Sequence, residues 1–470
     1  MSVAVQAGAG STPSIAVLPF ADMSEARDQE YFCEGMAEEL INALTKLPSI
    51  RVAARTSSFR FKHQAVDVRD IGRELNVTSL VEGSVRKFGE HIRIAARLTE
   101  VSDGYERWAE QYDREAGNVF LVQDEIARAI VDQLEVRLSG LQSPTLIAPS
   151  TQDVDAYKLY LQGRHYWNHR YPGFIEKAIR CFEGAIARDA TYALAYTGLA
   201  DAYVVLGAYG LMEPALSMSK AKQAAERAVA LNDGLAEAHH STALVAWYGD
   251  RSWLGTERAF RRALELNPAS GVAHAHASVM LGYHGEFDEA VREAEQARQL
   301  EPMSAVIGYY TGNAFMLAGQ LDEALDEVER SVDLDPNFGM AGWQKVWILR
   351  AHGRHQDALV EAERVAALTK RQCIFLATLG VAYAGVGDVG RATAVLDEVV
   401  AGADDNHVSP LAAAMICASL GSTDWALDHL ERAVAKRVPL LVLLPLHPVF
   451  QPLWENPRFE DLTRRIGIWT

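Results

Sequence analysis

Few residues of this 470-residue chain stand at spacings that support catalysis. Gly385, Gly387 and Gly390 match the glycine pattern of a dinucleotide-binding loop, which must follow a strand and open a helix. Here the surrounding pattern predicts a turn between two helices, so we interpret these glycines as structural. His165 and His169 are four residues apart and could share one helix face. No third metal ligand is apparent nearby, and aromatic neighbours favour a packing role.

The other polar motifs do not indicate an enzyme either. The sequence contains no GxxxxGK[ST], HExxH or GxSxG motif. Four pairs are interpreted as surface or turn residues that give little support for acid–base catalysis: His274/His276, His352/His355, Asp322/Glu323 and Asp326/Glu327. We therefore predict no catalytic residue, no metal ion and no cofactor, and we expect a protein that is not an enzyme.

Charge and cysteine usage limit the partners and the compartment. The formal net charge is −17, with acidic residues in excess on both sides of residue 140. Nucleic acids and anionic membranes attract basic surfaces, so neither is expected as a partner. The four cysteines form no CxxC pair and are expected to be reduced thiols. The N-terminus shows no signal-peptide pattern, and we expect a cytoplasmic protein.

A fixed repeat organises most of the chain. Five alanines follow one another at intervals of 34 residues: Ala290, Ala324, Ala358, Ala392 and Ala426. Five glycines keep the same interval: Gly285, Gly319, Gly353, Gly387 and Gly421. A period of this length is typical of two helices and two turns, with glycine between the helices and alanine where they cross closely. The pattern predicts paired helices stacked into a solenoid.

The repeat units resemble a known family. GQLDEALDEVERSVDLDP, GEFDEAVREAEQARQLEP and FRRALELNP are similar to the second-helix half of the tetratricopeptide repeat. The resemblance implies an all-α superhelix of about eight hairpins over residues 153–437. Residues 438–470 do not repeat and are expected to cap the last hairpin. The apolar run VPLLVLLPLHPVF within them is too short to span a bilayer, and the expected capping contacts are Leu453, Trp454, Phe459 and Leu462.

The first part of the chain has a different pattern. Residues 14–20 and 50–55 read as strands, 29–46 and 67–75 as helices, and two alternating runs around Gly89 as a hairpin. A further strand with Tyr105, Trp108 and Tyr112 and a helix at about 118–138 complete the order β-α-β-α-β-β-β-α. We predict an α/β domain with a mixed sheet over 14–139, after a disordered stretch at 1–13 and before a linker at 140–152. Its basic residues are expected to balance nearby acids on a solvated face: Arg51, Arg55, Arg60 and Lys62.

This domain resembles a second family. SIAVLPFADMS, ARTSSFRFK, LVEGSVRKFGEHIRIAARL and ERWAEQYDR are similar to the TolB-like amino-terminal domain. In bacteria that module often precedes tetratricopeptide arrays and lies behind a class III adenylate cyclase domain or a winged-helix DNA-binding domain. We expect neither of these domains in this chain. The stretch RDIGRELNVTSLVEGSVRK looks like a helix-turn-helix, but its second half alternates with period two and predicts a strand.

Binding is expected on the first helices of the hairpins, which line the concave wall in this family. Seven residues on this wall are candidate partner contacts: Tyr283, Tyr309, Asn313, Met316, Trp343, Trp347 and Arg350. Tryptophan, tyrosine and arginine dominate protein–protein hot spots. An alternative with equal weight is that Trp343 and Trp347 fill core between neighbouring hairpins.

Three functions remain open. The first is a non-enzymatic scaffold or adaptor in bacterial signalling, whose groove binds a protein or peptide. The second is the regulatory part of an adenylate cyclase-type or transcriptional system whose catalytic or DNA-binding domain is absent from this chain. The third is a small-molecule sensor in the TolB-like module. The sequence does not define the partner or the oligomeric state.

Overall fold

The computed structural model describes residues 13–47, 49–64, 66–89, 91–115, 119–134, 149–169, 172–402 and 406–467. The chain divides into two compact units, Met1–His165 and Tyr166–Thr470. The predicted fold class is confirmed, since a mixed-sheet α/β region is followed by paired helices. Most of the predicted linker and of the stretch predicted as disordered lie outside the described residues. The predicted domain boundaries therefore stay predictions.

The first unit is built on one mixed sheet. Its strands are β1 Ser14–Val17, β2 Ala21–Asp22, β3 Arg51–Val52, β4 Ser79–Phe88, β5 His91–Glu100 and β6 Glu106–Glu115. The strand order is β3-β1-β4-β5-β6, with β2 also beside β4. β1 pairs in parallel with β3 and β4, whereas β4, β5 and β6 form an antiparallel meander. Its helices are α1 Glu30–Thr45, α2 Arg55–Phe59, α3 Val68–Leu75, α4 Val119–Gln133 and α5 Val154–His169, and the second unit begins within α5.

Local sequence patterns explain most of these elements. The apolar stripe predicted for α1 is buried throughout, from Phe32 to Leu44. Asp67 caps α3 by accepting a hydrogen bond from the backbone N–H of Arg69, as a helix-capping aspartate should. The predicted strand at 50–55 is wrong in its second half, because α2 begins at Arg55. Tyr105, predicted to lie in a strand, precedes β6 and is exposed.

An ion-pair cluster joins α1, α2 and α5 within the first unit. Glu34 accepts a hydrogen bond from Lys62 and lies 3.0 Å from Nδ1 of His165, while Arg55 pairs with Glu38. Burial would raise the pKa of Glu34, but hydrogen bonds to His165 and Lys62 and the charge of Arg55 lower it to about 2. Helix α2 begins at Arg55, the residue whose side chain pairs with Glu38 on α1. The expectation that this basic cluster balances local acids is confirmed for its paired members.

The second unit is a ladder of helical hairpins. After α5 come α6 Pro172–Arg188, α7 Ala193–Ala208, α8 Pro214–Leu231, α9 Ala236–Val245, α10 Trp253–Leu266, α11 Gly271–His284, α12 Phe287–Leu300, α13 Ala305–Leu317, α14 Leu321–Leu334, α15 Gly339–Ala351, α16 His355–Leu368, α17 Cys373–Gly385, α18 Val389–Ala401, α19 Ser409–Ser419 and α20 Thr423–Ala435. A π-helical turn, Ala246–Asp250, extends α9. Two 3-10 helices, Pro439–Leu446 and Pro448–Leu453, and α21 Pro457–Ile466 complete the described part.

The 34-residue pattern has the physical basis predicted for it. All five repeat alanines have an exposed fraction of 0%. The five repeat glycines have positive φ angles, from 72° to 91°. A Cβ atom added at Gly319 would meet no other atom, so backbone conformation rather than crowding requires glycine there. Alanine is selected by the narrow crossing of two helices, and glycine by the turn that joins them.

We expect Ala358→Leu to destabilise the second unit by about 1–3 kcal/mol, because extra methylene groups cannot fit at a closed helix crossing. Val360→Leu is the matched control, since Val360 lies on the same helix and is 61% exposed. Urea unfolding followed by far-ultraviolet circular dichroism measures the difference. Equal midpoints for the two variants would contradict the packing role of the alanine.

Candidate functional site

The candidate site lies on the first helices of the hairpins, which are packed against one another along most of the array. Neighbouring first helices pack against one another along the array: α7 on α9, α11 on α13, α13 on α15, α15 on α17, and α17 on α19. We use the term inner wall for the surface formed by these first helices. It is the surface on which the sequence predicts partner contacts.

The structure brings the seven predicted contact residues together on three consecutive first helices. Tyr283 lies on α11, Tyr309, Asn313 and Met316 lie on α13, and Trp343, Trp347 and Arg350 lie on α15. Five of them are buried, and Tyr309 and Arg350 are half-buried. The indole rings of Trp343 and Trp347 meet edge to face, with their centroids 5.8 Å apart. Asn313 bridges α13 and α15 by donating a hydrogen bond to Gln344 over 3.3 Å.

The inner wall is covered by the chain's own C-terminal part. We use the term closing segment for Val438–Leu453, which contains both 3-10 helices. Its first 3-10 helix packs against α7, α11 and the π-helical turn, and its second packs against α19. Arg251 donates a hydrogen bond to the carbonyl oxygen of Val438 over 3.3 Å. The ring of His447 lies 4.5 Å from that of Trp347 and 6.4 Å from that of Trp343.

Sequence reasoning placed this segment only at the end of the array. The expected burial of Leu453, Phe459 and Leu462 is observed, but Trp454 is 40% exposed and its predicted role is wrong. Trp454 follows the second 3-10 helix, which buries Phe450 and Leu453 instead. The extension of the segment along the inner wall was missed. Its prolines, which rule out a regular helix, were the available signal.

The burial of Trp343 and Trp347 agrees with the alternative that they fill core between neighbouring hairpins. Trp343 and Trp347 are enclosed by helix neighbours and by the closing segment, so they are not open to solvent. Contact between any of the seven residues and an external partner stays a prediction. The accessible members of the set are Tyr309 and Arg350, whose side chains retain partial exposure.

Polar groups on α15 are incompletely satisfied. Within the described part of the chain, the buried indole N–H groups of Trp343 and Trp347 have no hydrogen-bond acceptor. Arg350 donates from Nη1 to the carbonyl oxygen of Val381 over 2.8 Å, and no described carboxylate lies within ion-pair distance of it. Burial lowers the pKa of this guanidinium. A buried donor without an acceptor is unfavourable, so this face of α15 is short of acceptors.

His447 faces this donor-rich surface as a neutral imidazole. Burial, with a smaller effect of the nearby Arg350 charge, lowers the pKa of His447 to about 3. Its Nδ1 accepts a hydrogen bond from the backbone N–H of Val449 over 3.4 Å. The imidazole therefore cannot carry a proton at neutral pH while the closing segment is docked.

A second polar feature crosses the inner wall. His240 Nε2 lies 2.9 Å from Nδ1 of His276, and His276 Nε2 lies 2.8 Å from the Tyr310 hydroxyl. His274 is buried and bonded to Glu293. The prediction that His274 and His276 are surface or turn histidines is wrong, because both are buried against other helices of the array. The hydrogen bonds of His276 to His240 and Tyr310 connect α9, α11 and α13, which are three first helices of the inner wall.

The remaining motifs carry no site. Gly385 ends α17 and Gly390 lies in α18, so the glycine motif joins two helices as predicted. His165 binds Glu34, and the side chain of His169 lies outside the described residues. Among the residues that the structure describes, no group of three or more His, Cys, Asp or Glu could hold a metal ion. All four cysteines are free thiols. No helix in the described ranges is long and apolar enough to cross a membrane.

The His447 environment predicts a pH dependence. The pKa of His447 in the folded chain is lower than its ordinary value of 6.5. The free energy of unfolding is therefore unaffected by this imidazole above pH 6.5, and it decreases as pH falls toward about 3, because only the unfolded chain then binds the proton. At about pH 5 the loss is at most about 2 kcal/mol, since each pKa unit corresponds to about 1.4 kcal/mol. We expect His447→Gln to lose less stability between about pH 7 and pH 5 than the unaltered chain. Thermal melts at both pH values measure this, and parallel losses would contradict it.

Comparison with known proteins gives partial similarities. No family model matches the chain. A curated protein named putative adenylate cyclase 3, from Rhizobium meliloti (strain 1021), is 41% identical over 152 residues, which is 32% of this chain and 26% of that protein. The matched region thus spans about a quarter of this curated relative.

Several solved structures are similar at low identity. PilW, a type IV pilus biogenesis factor, is 18% identical with a TM-score of 0.37, over 44% of this chain and 92% of that chain. TTC0263, a TPR protein of Thermus thermophilus, is 19% identical with a TM-score of 0.34, over 44% and 99%. The human IFIT1 dimer with m7Gppp-AAAA is 15% identical with a TM-score of 0.43, over 68% and 79%.

Proposed function

We propose that this protein is a non-enzymatic interaction scaffold whose inner wall binds a segment of a protein partner, in bacterial signalling or regulation. The observation that carries this proposal is the closing segment, because the inner wall already holds a length of polypeptide that is not part of the hairpin ladder. A surface that buries one such segment has the shape and the apolar character to bury another.

The contacts of the closing segment support binding by burial rather than by charge. Its side chains at Val438, Leu441, Val442 and Leu444 are almost fully buried. Each buried aliphatic side chain contributes about 1.5–3 kcal/mol relative to its exposed state. A partner segment that replaces this one must bury comparable apolar area, so we propose an apolar segment held near Tyr309, Trp347 and Arg350.

The first unit is proposed to be a TolB-like module that accompanies the scaffold. The support is the sequence resemblance over residues 14–138 together with the mixed sheet and its antiparallel meander. We further propose a cytoplasmic location, supported by four free cysteines and an acidic chain. The proposed partner is a protein or peptide rather than nucleic acid.

A second candidate function is favoured by one observation. The relative that is 41% identical over 152 residues carries the name of a putative adenylate cyclase. On this reading these residues are the regulatory part of an adenylate cyclase-type signalling system, and catalysis resides outside the 470 residues of this sequence. The two candidates are compatible, since a regulatory scaffold also acts by binding another protein.

Partner capture tests the scaffold proposal. We expect a variant with Tyr309→Ser and Arg350→Gln to recover about tenfold less of its specific partners from a bacterial lysate, because it loses an aromatic and a cationic contact. Val360→Ala on the outer helix α16 is the control and should recover the same partners as the unaltered chain. Quantitative mass spectrometry compares the three proteins after circular dichroism has shown that all are folded. Unchanged recovery by the double variant would exclude this wall as the partner site.

An activity assay tests the non-enzymatic assignment. We expect the purified chain, incubated with ATP and Mg²⁺ or Mn²⁺, to produce no cyclic AMP above a protein-free blank. The physical reason is that no set of described side chains forms a metal-binding group of three, and metal ions commonly neutralise phosphoryl charge during such chemistry. Turnover that follows protein concentration would overturn the assignment.

A further inference from the structure

One face of α15 offers hydrogen-bond donors that the chain does not use. The residues Trp343 and Trp347 are only 4% and 2% exposed, and their indole N–H groups find no acceptor in the described part of the chain. A buried tryptophan usually places its N–H on an acceptor. Two such donors one helical turn apart indicate a surface suited to a group that accepts hydrogen bonds.

A cation lies on the same face. Arg350 follows Trp347 by one helical turn and has one described hydrogen bond, to the Val381 carbonyl near the end of α17. A guanidinium has five N–H donors, and the half-buried Arg350 uses one of them in this bond. The carbonyl groups at a helix C-terminus supply only part of a negative charge. No ion pair found among the described residues includes Arg350, so no described carboxylate balances its charge.

The closing segment, which occupies this part of the inner wall, supplies no carboxylate to these donors. The closing segment contains no aspartate or glutamate, and it places the imidazole of His447 against Trp347. That imidazole is held neutral, and the nearby Arg350 is one cause. The position therefore disfavours positive charge in the occupant, while the unsatisfied polar groups of Trp343 and Trp347 beside it are donors.

We propose that this face of α15 recognises a partner segment that carries a carboxylate side chain within an apolar, proline-containing stretch, and that the closing segment is its displaceable substitute. The carboxylate takes the place of the His447 imidazole, where it accepts from Arg350 and lies beside the two indoles. A carboxylate has acceptors only and forms its strongest hydrogen bonds with guanidinium. This inference rests on the proposed function, since it names the chemistry of the segment that the inner wall binds.

Substitution in the full chain tests the recognised chemistry. Glutamine and glutamate have nearly the same shape, so His447→Glu is compared with His447→Gln. We expect the Glu variant to melt several degrees above the Gln variant near pH 7, and we expect Arg350→Met to abolish or reverse that order. Gln451→Glu is the matched control, because Gln451 is an exposed residue of the same segment and adds the same charge without reaching the wall.

The melting order decides the outcome. A Glu variant that melts below the Gln variant means that burial of the charge outweighs its pairing with Arg350, and it overturns the proposal. An equal gain from Gln451→Glu shows a general effect of charge and overturns it as well. A gain confined to position 447 and dependent on Arg350 supports it.

Binding in trans separates this inference from the proposed function. Fluorescent peptides of residues 438–453, one native and one with glutamate at position 447, are titrated with the full chain and followed by anisotropy. We expect the glutamate peptide to bind about tenfold more tightly, an advantage that Arg350→Gln removes. Equal affinities overturn the carboxylate preference and leave the scaffold proposal intact. No binding of either peptide overturns displacement, and with it the proposal that partners bind at this wall.

Discussion

The close crossing of two helices at a buried alanine is the constraint on which the second unit depends. Ala290, Ala324 and Ala358 leave no exposed surface, so each hairpin can place its first helix against the next. Without that approach, the first helices could not pack as they do, because side chains larger than a methyl group would separate the two helices at each crossing. The inner wall, the burial of its aromatic residues and the seat of the closing segment all follow from this spacing.

Repetition explains why the solenoid could be predicted from the sequence and the site only partly. A residue type that recurs every 34 positions reports the same local environment many times, so Ala324 and Gly319 were assigned with their correct roles. The closing segment occurs once and has no periodicity, and its contacts join residues far apart in the chain, such as Arg251 and Val438. Helix α2 was missed because Arg55 belongs to long-range ion pairs with α1 that local pattern does not contain.

The seven residues predicted to contact a partner meet contacts from the chain itself that the prediction did not include. The seven residues share one wall, but a neutral histidine from the same chain covers two of them. His276 was placed on the surface because a single histidine in an alanine-rich helix gives no sign of its neighbours. Its bonds to His240 and Tyr310 depend on alignment between hairpins, which only three-dimensional structure provides.

The position of the closing segment at the end of the chain has a consequence for biosynthesis. Chains grow from the N-terminus at about 5–20 residues per second, and hairpins with local contacts form quickly. Helix α15 therefore leaves the ribosome several seconds before His447 is added. During that interval Trp343 and Trp347 lack the cover that His447 and the rest of the closing segment give them in the finished chain.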